Sequence, residues 1–590
     1  MKKKILGLLL AAAGMSLLLA GCSRRAADGG HAAITMQSPF RDISMFLDVL
    51  EEKYPEIELE IIPYSGANTS AYLEAELRAG DMPDIYVTTV YAPGQEDLSD
   101  RLMDLSTYDF VNSYAESQLQ DISDNGALYL LPTNFTCFGI VYNKTLLEQN
   151  GWTLPTSFAE LEELAPKVKA AGYQLALNQI ALPGYGFQYL CNILDTDFMN
   201  TLAGRKWQNE FLSGAATAKG SPEMMQAFST LEKWKALGMI NGDGDWDSDE
   251  QTRKIMAEGN TLFMLGSVNA FKEGESDCEF GLMPYLSEDG TQNALILNVS
   301  RYVGLNKRLE KPGNEQKLQD ALHVMEVIST VEGMTAMNRG LGTNTLLPLR
   351  EYVISDDNYY KQVEKELNAG LTAPFIYAGW EDLVVPIGNA MLDYIKGIAD
   401  IEAVIDAFDD NQHLLTDNSA AVFTTVTEKL DTDDCARLVG ICLGKASGAD
   451  LSLISKNKWY RMEGDEITDL NTQGVSGSLF ALPVTDQEIT SILPTGWRGN
   501  IKTVTLTGRR IRELAETGYD RGGYLYPYEL VKPKHLTLDD DTVYTVAICG
   551  VSDAVAEEGK LTDTGILGLT AAEEYFSQFE TLSKKDIYWE

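Results

Sequence analysis

What most constrains this chain is an alternation of strand and helix signatures near its beginning. Ala32-Ala33-Ile34-Thr35-Met36 is a short apolar run suited to a buried strand. Ile43, Phe46, Leu47 and Leu50 then repeat at helical spacing until Pro55. Ile57, Leu59 and Ile61 alternate with glutamates as a second strand, ended by Pro63. Ala71 to Arg78 repeats the helix, and Pro83-Asp84-Ile85-Tyr86-Val87 repeats the strand. Strands separated by helices do not form hairpins, so the expected fold is α/β on a mostly parallel sheet.

The first residues set the compartment. Lys2, Lys3 and Lys4 precede an apolar stretch from Ile5 to Ala20, the order of an export signal. Leu19-Ala20-Gly21-Cys22 closes it and resembles a bacterial lipobox. That resemblance implies cleavage before Cys22 and lipid on its sulfur and amine, with 1–22 as signal and 23–30 as a polar tether. The alternative is an ordinary signal peptide containing a cysteine. No later apolar run reaches the ~20 residues that span a bilayer, so the expected location is the outer face of a bacterial membrane, held by lipid.

At 590 residues the chain is long enough for two or three domains. Its formal net charge of -40 excludes a nucleic-acid binder, which needs a basic footprint. Six cysteines besides Cys22 are widely spaced without a CxxC pair, a pattern of buried thiols with room for one bridge at most. Asp243, Asp245, Asp247 and Asp249 alternate as in a calcium loop, but Ser248 and Lys254 stand where glycine and glutamate belong. A solvated loop is expected there, and no metal or cofactor anywhere.

"YPEIELEIIPYSG" and "YLEAELRAGDMPDIYV" resemble the opening of the family-1 extracellular solute-binding proteins, the maltose-binding-protein-like receptors of ABC importers. The resemblance continues through Gly126 to Pro132, Tyr142-Asn143-Lys144, Gly151-Trp152 and Pro155 to Phe158, where Ser157 and Glu160 suit a capping box. It ends with "IMAEGNTLFMLGS" at Ile255–Ser267 and covers about 31–415. It implies a two-lobed, periplasmic-binding-protein-like fold of type II with ligand between the lobes.

From about 421 to 590 the chain resembles the C-terminal α+β domain of 5'-nucleotidases, through Gly448-Ala449-Asp450, Leu493-Pro494 and Leu506-Thr507-Gly508. The polar stretch from Asp409 to Ser419 is the expected hinge. The catalytic metallophosphatase domain of those enzymes has no counterpart, since the four histidines are scattered and a two-metal site needs clustered ligands. Arg437 falls near a phosphate-binding arginine, with Lys456-Asn457-Lys458 in place of the glycine-rich loop. Thr495 replaces one clamp phenylalanine, and Cys549 to Glu558 carries no ring for the other, although Trp497 is close. A retained scaffold is therefore expected, and no enzyme.

Open α/β sheets hold ligands at the carboxyl ends of strands. The first strand then delivers Gln37 and Ser38, the third Thr88 and Thr89, and the crossover after Pro132 delivers Thr133, Asn134 and Thr136. By the resemblance, Tyr185, Phe187, Asn269, Asn298 and Trp380 complete a neutral, aromatic and amide-rich cleft suited to carbohydrate. Trp380 and Tyr185 read equally well as cleft or packing residues; Tyr189 and Phe375 read as packing. The expected partners are a small solute, an ABC permease and the membrane. Two other functions stay open: a nucleotide-binding surface protein working through its C-terminal domain, and a structural surface lipoprotein.

Overall fold

The structure is a computed structural model that describes residues 32–38, 43–64, 69–89, 91, 98–244, 249–267, 277–339, 345–415, 421–456, 474–493, 499–521, 524–526, 528–548, 555 and 558–590. Cys22, Asn269, Thr495, Trp497 and Cys549 lie outside the described residues, as does most of the calcium-like loop.

The chain begins as its periodicity predicts: β1 (Ile34–Ser38), α1 (Ser44–Lys53), β2 (Leu59–Pro63), α2 (Thr69–Ala79) and β3 (Ile85–Thr88). Two long strands follow, β4 (Leu131–Asn143) and, much later, β8 (Leu295–Leu305). Between them lie α3 (Phe158–Ala170), β5 (Gln174–Leu177), α4 (Pro183–Leu194), α5 (Leu202–Leu212), β6 (Thr261–Ser267) and β7 (Phe280–Met283). After β8 come β9 (Thr372–Pro374) and α6 (Glu381–Ile395).

These strands form one nine-stranded sheet in the order β2-β1-β3-β8-β4-β6-β5, with β7 on β4 and β9 on β8. It is mixed, which corrects the expectation of a mostly parallel sheet. β1/β2, β1/β3, β5/β6 and β8/β9 are parallel, while β3/β8, β4/β6, β4/β7 and β4/β8 are antiparallel. The cause is connectivity. β4 carries the chain out of the first lobe and β8 brings it back, so the two run against each other, β4 against β6 and β7, and β8 against β3. Their register slips between Pro132 and Phe135, where proline supplies no N–H to the ladder.

Each lobe has its own core. Phe46, Tyr86, Tyr114 and Met325 belong to the first, and Phe158, Phe187, Phe211, Trp234 and Trp380 to the second. In the second lobe α4 and α6 pack so closely that a Cβ on Gly186 would stand 2.6 Å from the Gly388 carbonyl oxygen. The contact fixes the N-terminal turn of α4 against the middle of α6. The capping box before α3 is displaced by one residue. Ser157 Oγ accepts from the Glu160 N–H at 3.2 Å, but the Glu160 carboxylate accepts from Thr156 N and Oγ1, which holds that carboxyl below its usual range.

The expected hinge is partly helical. Asp409 to Asn411 finish a helix from Ile401, Gln412–Leu415 form a 3-10 turn, and 416–420 lie outside the described residues. The C-terminal region then forms β10 (Thr424–Val426), α7 (Thr432–Ser447), β11 (Leu451–Ser455), β12 (Pro483–Val484), α8 (Asp486–Ile492), β13 (Asn500–Thr507) and α9 (Gly508–Thr517). It continues through β14 (Tyr519–Arg521), β15 (Tyr524–Tyr526), β16 (Tyr528–Val531), β17 (Val543–Ile548), β18 (Thr562–Leu567) and β19 (Thr581–Leu582). Its five-stranded sheet, β16-β11-β17-β13-β18, carries separate apolar clusters, one around Leu438 and Ile454, the other around Leu453 and Val504. As the Leu-Thr-Gly segment implies, Thr507 caps α9 by accepting from the Arg510 N–H.

This C-terminal unit is docked on the first lobe. Tyr64 and Tyr72 stack at 3.9 Å, and Phe480 reaches across to Tyr72 and joins the core of the first lobe. The Tyr64 hydroxyl donates to the Ser491 carbonyl at 2.6 Å. Arg78 pairs with Glu488 at 2.9 Å, and Lys429 with Asp81 at 2.5 Å. Gly477, at φ +79°, passes so near these rings that a Cβ would meet Tyr72 at 2.7 Å.

Candidate functional site

Between the lobes lies a cavity of about 400 Å³. The first lobe contributes Thr89 and Tyr91, just past the end of β3. Thr89 Oγ1 lies 3.2 Å from Ser70 Oγ on α2, and the Tyr91 ring meets Tyr302 edge-on at 5.5 Å. The crossing strands contribute Pro132 and Phe135 from β4 and Leu297, Asn298, Val299 and Tyr302 from β8.

The second lobe supplies the chemically richest wall. After β9 the chain runs along the cavity from Phe375 through Ile376, Tyr377 and Ala378 to Trp380. The Phe375 and Tyr377 rings are parallel within 9° at 6.1 Å, and Phe138 packs at 5.3 Å from Phe375. Opposite them α4 ends in a π-helical turn, Asp195–Met199, a local widening often found at functional sites. Asp195, Asn200, Arg205, Gln208 and Asn209 border the cavity from this turn and from α5.

Asp195 is the outlier. It is 2 % exposed, and neither carboxylate oxygen has a hydrogen-bond partner among the described residues. Burial pushes its carboxyl well above the usual carboxylate range, and the positive charge of Arg205 only partly offsets this. Arg205 Nη2 itself donates to Asn200 Oδ1 at 3.0 Å, and Gln208 Nε2 to the Met199 carbonyl at 2.9 Å. A buried acceptor beside a cavity is a costly feature unless a ligand donates to it.

The sequence-predicted residues divide. Thr89 and Asn298 border the cavity. Gln37, Thr88, Thr133 and Asn134 do not; all four are buried in or beside the sheet. Thr133 Oγ1 donates to Asn134 Oδ1 at 3.2 Å, and Thr136, half-buried on β4, leans on the Asn298 carbonyl at 3.5 Å. The side chain of Ser38 is outside the described residues. Tyr185 and Phe187 sit on α4 rather than on a loop; Phe187 is 1 % exposed in the core and Tyr185 packs against it.

Trp380, which read equally well as cleft or packing residue, is mainly packed. It is 1 % exposed, stacked on Phe211 at 5.2 Å, and only borders the cavity as part of its floor. Phe375 is corrected in the other direction, from packing residue to cavity wall. Tyr189 packs as expected, its hydroxyl accepting from the Gln179 N–H at 3.0 Å. Sequence reading missed Asp195, Tyr377 and the α5 amides. A "DTDF" turn after an apolar helix gives little warning of a buried carboxylate.

In the C-terminal unit, Arg437 Nε pairs with Glu529 at 2.9 Å and its Nη1 with Asp434 at 3.1 Å. Lys456 bridges Asp433 at 2.8 Å and the same Glu529 at 3.0 Å. Arg437 and Lys456 are thus both held in ion pairs within the unit. The five described cysteines are free thiols, so none bridges another.

Comparison with known proteins agrees with this architecture. Residues 33–281 match the family described as bacterial extracellular solute-binding protein, a family of receptors rather than enzymes. A family 1 extracellular solute-binding protein from Bifidobacterium longum subsp. infantis aligns over 65% of this chain and 100% of its own, at 19% identity and TM-score 0.54. The putative binding protein MsmE of Bacillus subtilis, in an open conformation, aligns over 67% and 100%, at 14% identity and TM-score 0.54. The bacterial solute receptor AcbH, with its exclusive preference for β-D-galactopyranose, aligns over 65% and 98%, at 13% identity and TM-score 0.52. At these identities the likeness establishes the fold of the two lobes.

Proposed function

We propose that this protein is the lipid-anchored, extracytoplasmic substrate-binding component of an ABC importer, and that its solute is a carbohydrate. The observation that carries the reading is the cleft wall. A sugar offers an apolar C–H face and a ring of hydroxyls. Phe375 and Tyr377 offer flat apolar surface, while Asn298, Asn200 and Asn209 offer amides. Asp195 adds an acceptor that lacks a partner among the described residues. The sugar preference of AcbH, a neighbour in fold, supports the same class of ligand.

In this reading a solute touching both lobes stabilises the closed arrangement, and a permease recognises that arrangement. Anchoring rests on Cys22, so Cys22→Ala should release the protein into the soluble extracytoplasmic fraction; retention after a salt wash would remove the lipid from the proposal.

The C-terminal domain resembles that of 5'-nucleotidases, and we read it as a scaffold without nucleotide handling. The engagement of Arg437 and Lys456 by Glu529 supports this. Calorimetry with mono- and oligosaccharides, including galactose, and with AMP and adenosine tests both parts. Saturable sugar heat lost in Asp195→Asn is the expected result; micromolar AMP binding without any sugar response would replace the proposal.

A further inference from the structure

Where α2 ends, the first lobe and the C-terminal domain enclose a second cavity, of about 240 Å³. It shares no lining residue with the cleft between the lobes. Its volume is roughly that of eight waters, room for a small molecule. Both units line it: Ile62 of β2 and the Met82-Pro83 turn from the first lobe, Lys429, Thr432 and Ser478 from the C-terminal domain. The Tyr64–Tyr72 stack and the Arg78–Glu488 pair hold the seam around it.

The charges at this cavity pair off, with one left over. Lys429 holds Asp81 at 2.5 Å, and Arg308 holds Asp84 at 2.9 Å, where Lys317 adds a contact at 2.7 Å. Glu76, in the last turn of α2, lines the same cavity and is 3 % exposed. Its Oε2 has no hydrogen-bond partner among the described residues. The carbonyl end of α2 adds negative potential there. The positive end of α7 at Thr432 opposes it, but Asp431 already accepts from the Asp434 N–H at 3.0 Å. A buried carboxylate without a partner is costly until a cation meets it. In the empty cavity it keeps its proton instead. Burial pushes its carboxyl up to about 8, against Lys429 and Arg308, with Asp81 adding to the rise. The phenols of Tyr64 and Tyr72, which feel its charge, are kept neutral by burial.

We propose that this seam cavity binds a small organic ammonium ion, with Glu76 as its counter-ion and the C-terminal domain as its outer wall. An anion finds no unengaged partner, since Lys429 and Arg308 already hold carboxylates. A divalent metal lacks ligands, because the described residues contain no group of three or more His, Cys, Asp or Glu side chains suited to one. A primary ammonium on a short carbon chain supplies one positive charge and N–H donors for Glu76, and its apolar stem suits Ile62, Met82 and Pro83. Because both units line the cavity, a bound amine stabilises their docking by mass action. The nature of the solute in the cleft does not enter.

The probe is ethylammonium chloride, added to the full-length protein in weak buffer near neutral pH, with sodium chloride at equal ionic strength as control. So small a molecule reaches about millimolar affinity at best, which sets the concentration range. Glu76 holds a proton in the empty site and must release it to pair with the ammonium ion. A pH indicator should therefore record saturable release of close to one proton per molecule bound. The amine should also raise the melting temperature of the wild type. Glu76→Gln keeps the shape of the protonated carboxyl and so should fold. It should abolish the proton release and weaken binding about tenfold or more, the scale of a hydrogen bond to a charged group. Absence of saturable release in the wild type, or equal release in Glu76→Gln, would overturn the proposal. Equal release by potassium would make the cavity a monovalent-ion site instead. Equal release by tetramethylammonium, which has no N–H, would remove the hydrogen bond to Glu76 and with it the proposed class of ligand.

Discussion

In the proposed receptor, the single residue Asp195 trades stability for binding. Its folded carboxyl is raised, so it contributes stability that is present below the unfolded value near 4 and lost as pH rises toward the folded one. At neutral pH it is a liability that Asn removes. Asp195→Asn should therefore raise the melting temperature and weaken solute binding by about 1–3 kcal/mol, the cost of leaving a buried hydrogen-bonding partner unmatched. Unchanged affinity in calorimetry would assign Asp195 to packing. Trp380→Ala should do the opposite, costing about 3–5 kcal/mol of folding stability because the indole lies between Phe211, Trp207 and Phe408 in the core. Denaturant unfolding reads that loss directly. Residue by residue, the sequence was legible where a side chain directly follows a strand, as with Thr89. It was illegible where a helix hides the periodicity, as with Phe187, or where two distant segments meet, as with Asp195 and Tyr377.

At the scale of elements, α2 carries the most informative prediction. Glu76 is 3 % exposed at the seam, borders a cavity of about 240 Å³ with Lys429, and leaves Oε2 without a partner among the described residues. Burial pushes its carboxyl up to about 8, against the lowering influence of Lys429. Because the folded value exceeds the unfolded one, stability is complete below about pH 4.5 and declines as pH rises to about 8. The decline attributable to Glu76 is about 5 kcal/mol at most. Urea unfolding from pH 5 to 9 should show a slope that Glu76→Gln flattens, and equal slopes in both proteins would refute this. Elements themselves were read well at the start, where β1, α1, β2, α2 and β3 follow the apolar periodicity closely. Strand direction was not, because it depends on β4 and β8 crossing between lobes, a property of connection rather than of pattern.

For the whole molecule, the seam decides whether the chain is two proteins joined or one. A fragment from 421 to 590 has its own sheet with apolar clusters around both Leu438 and Leu453, and a length within the usual domain range. It should fold alone. Yet Phe480 completes the core of the first lobe rather than that of its own domain, and Tyr64 and Tyr72 await it on the other side. The separated fragment therefore exposes that ring, and the two-lobed fragment exposes the tyrosine stack. Mixed together, the two should reassociate as a one-to-one complex by analytical ultracentrifugation. Phe480→Ala should weaken that complex by roughly 2–4 kcal/mol, the range of an aromatic anchor in a desolvated pocket. Lys429→Ala should cost less, about 1 kcal/mol or below, since the Lys429–Asp81 pair is half-exposed. Fragments that stay apart at micromolar concentration would mean that the linker, not the seam, holds the domain in place.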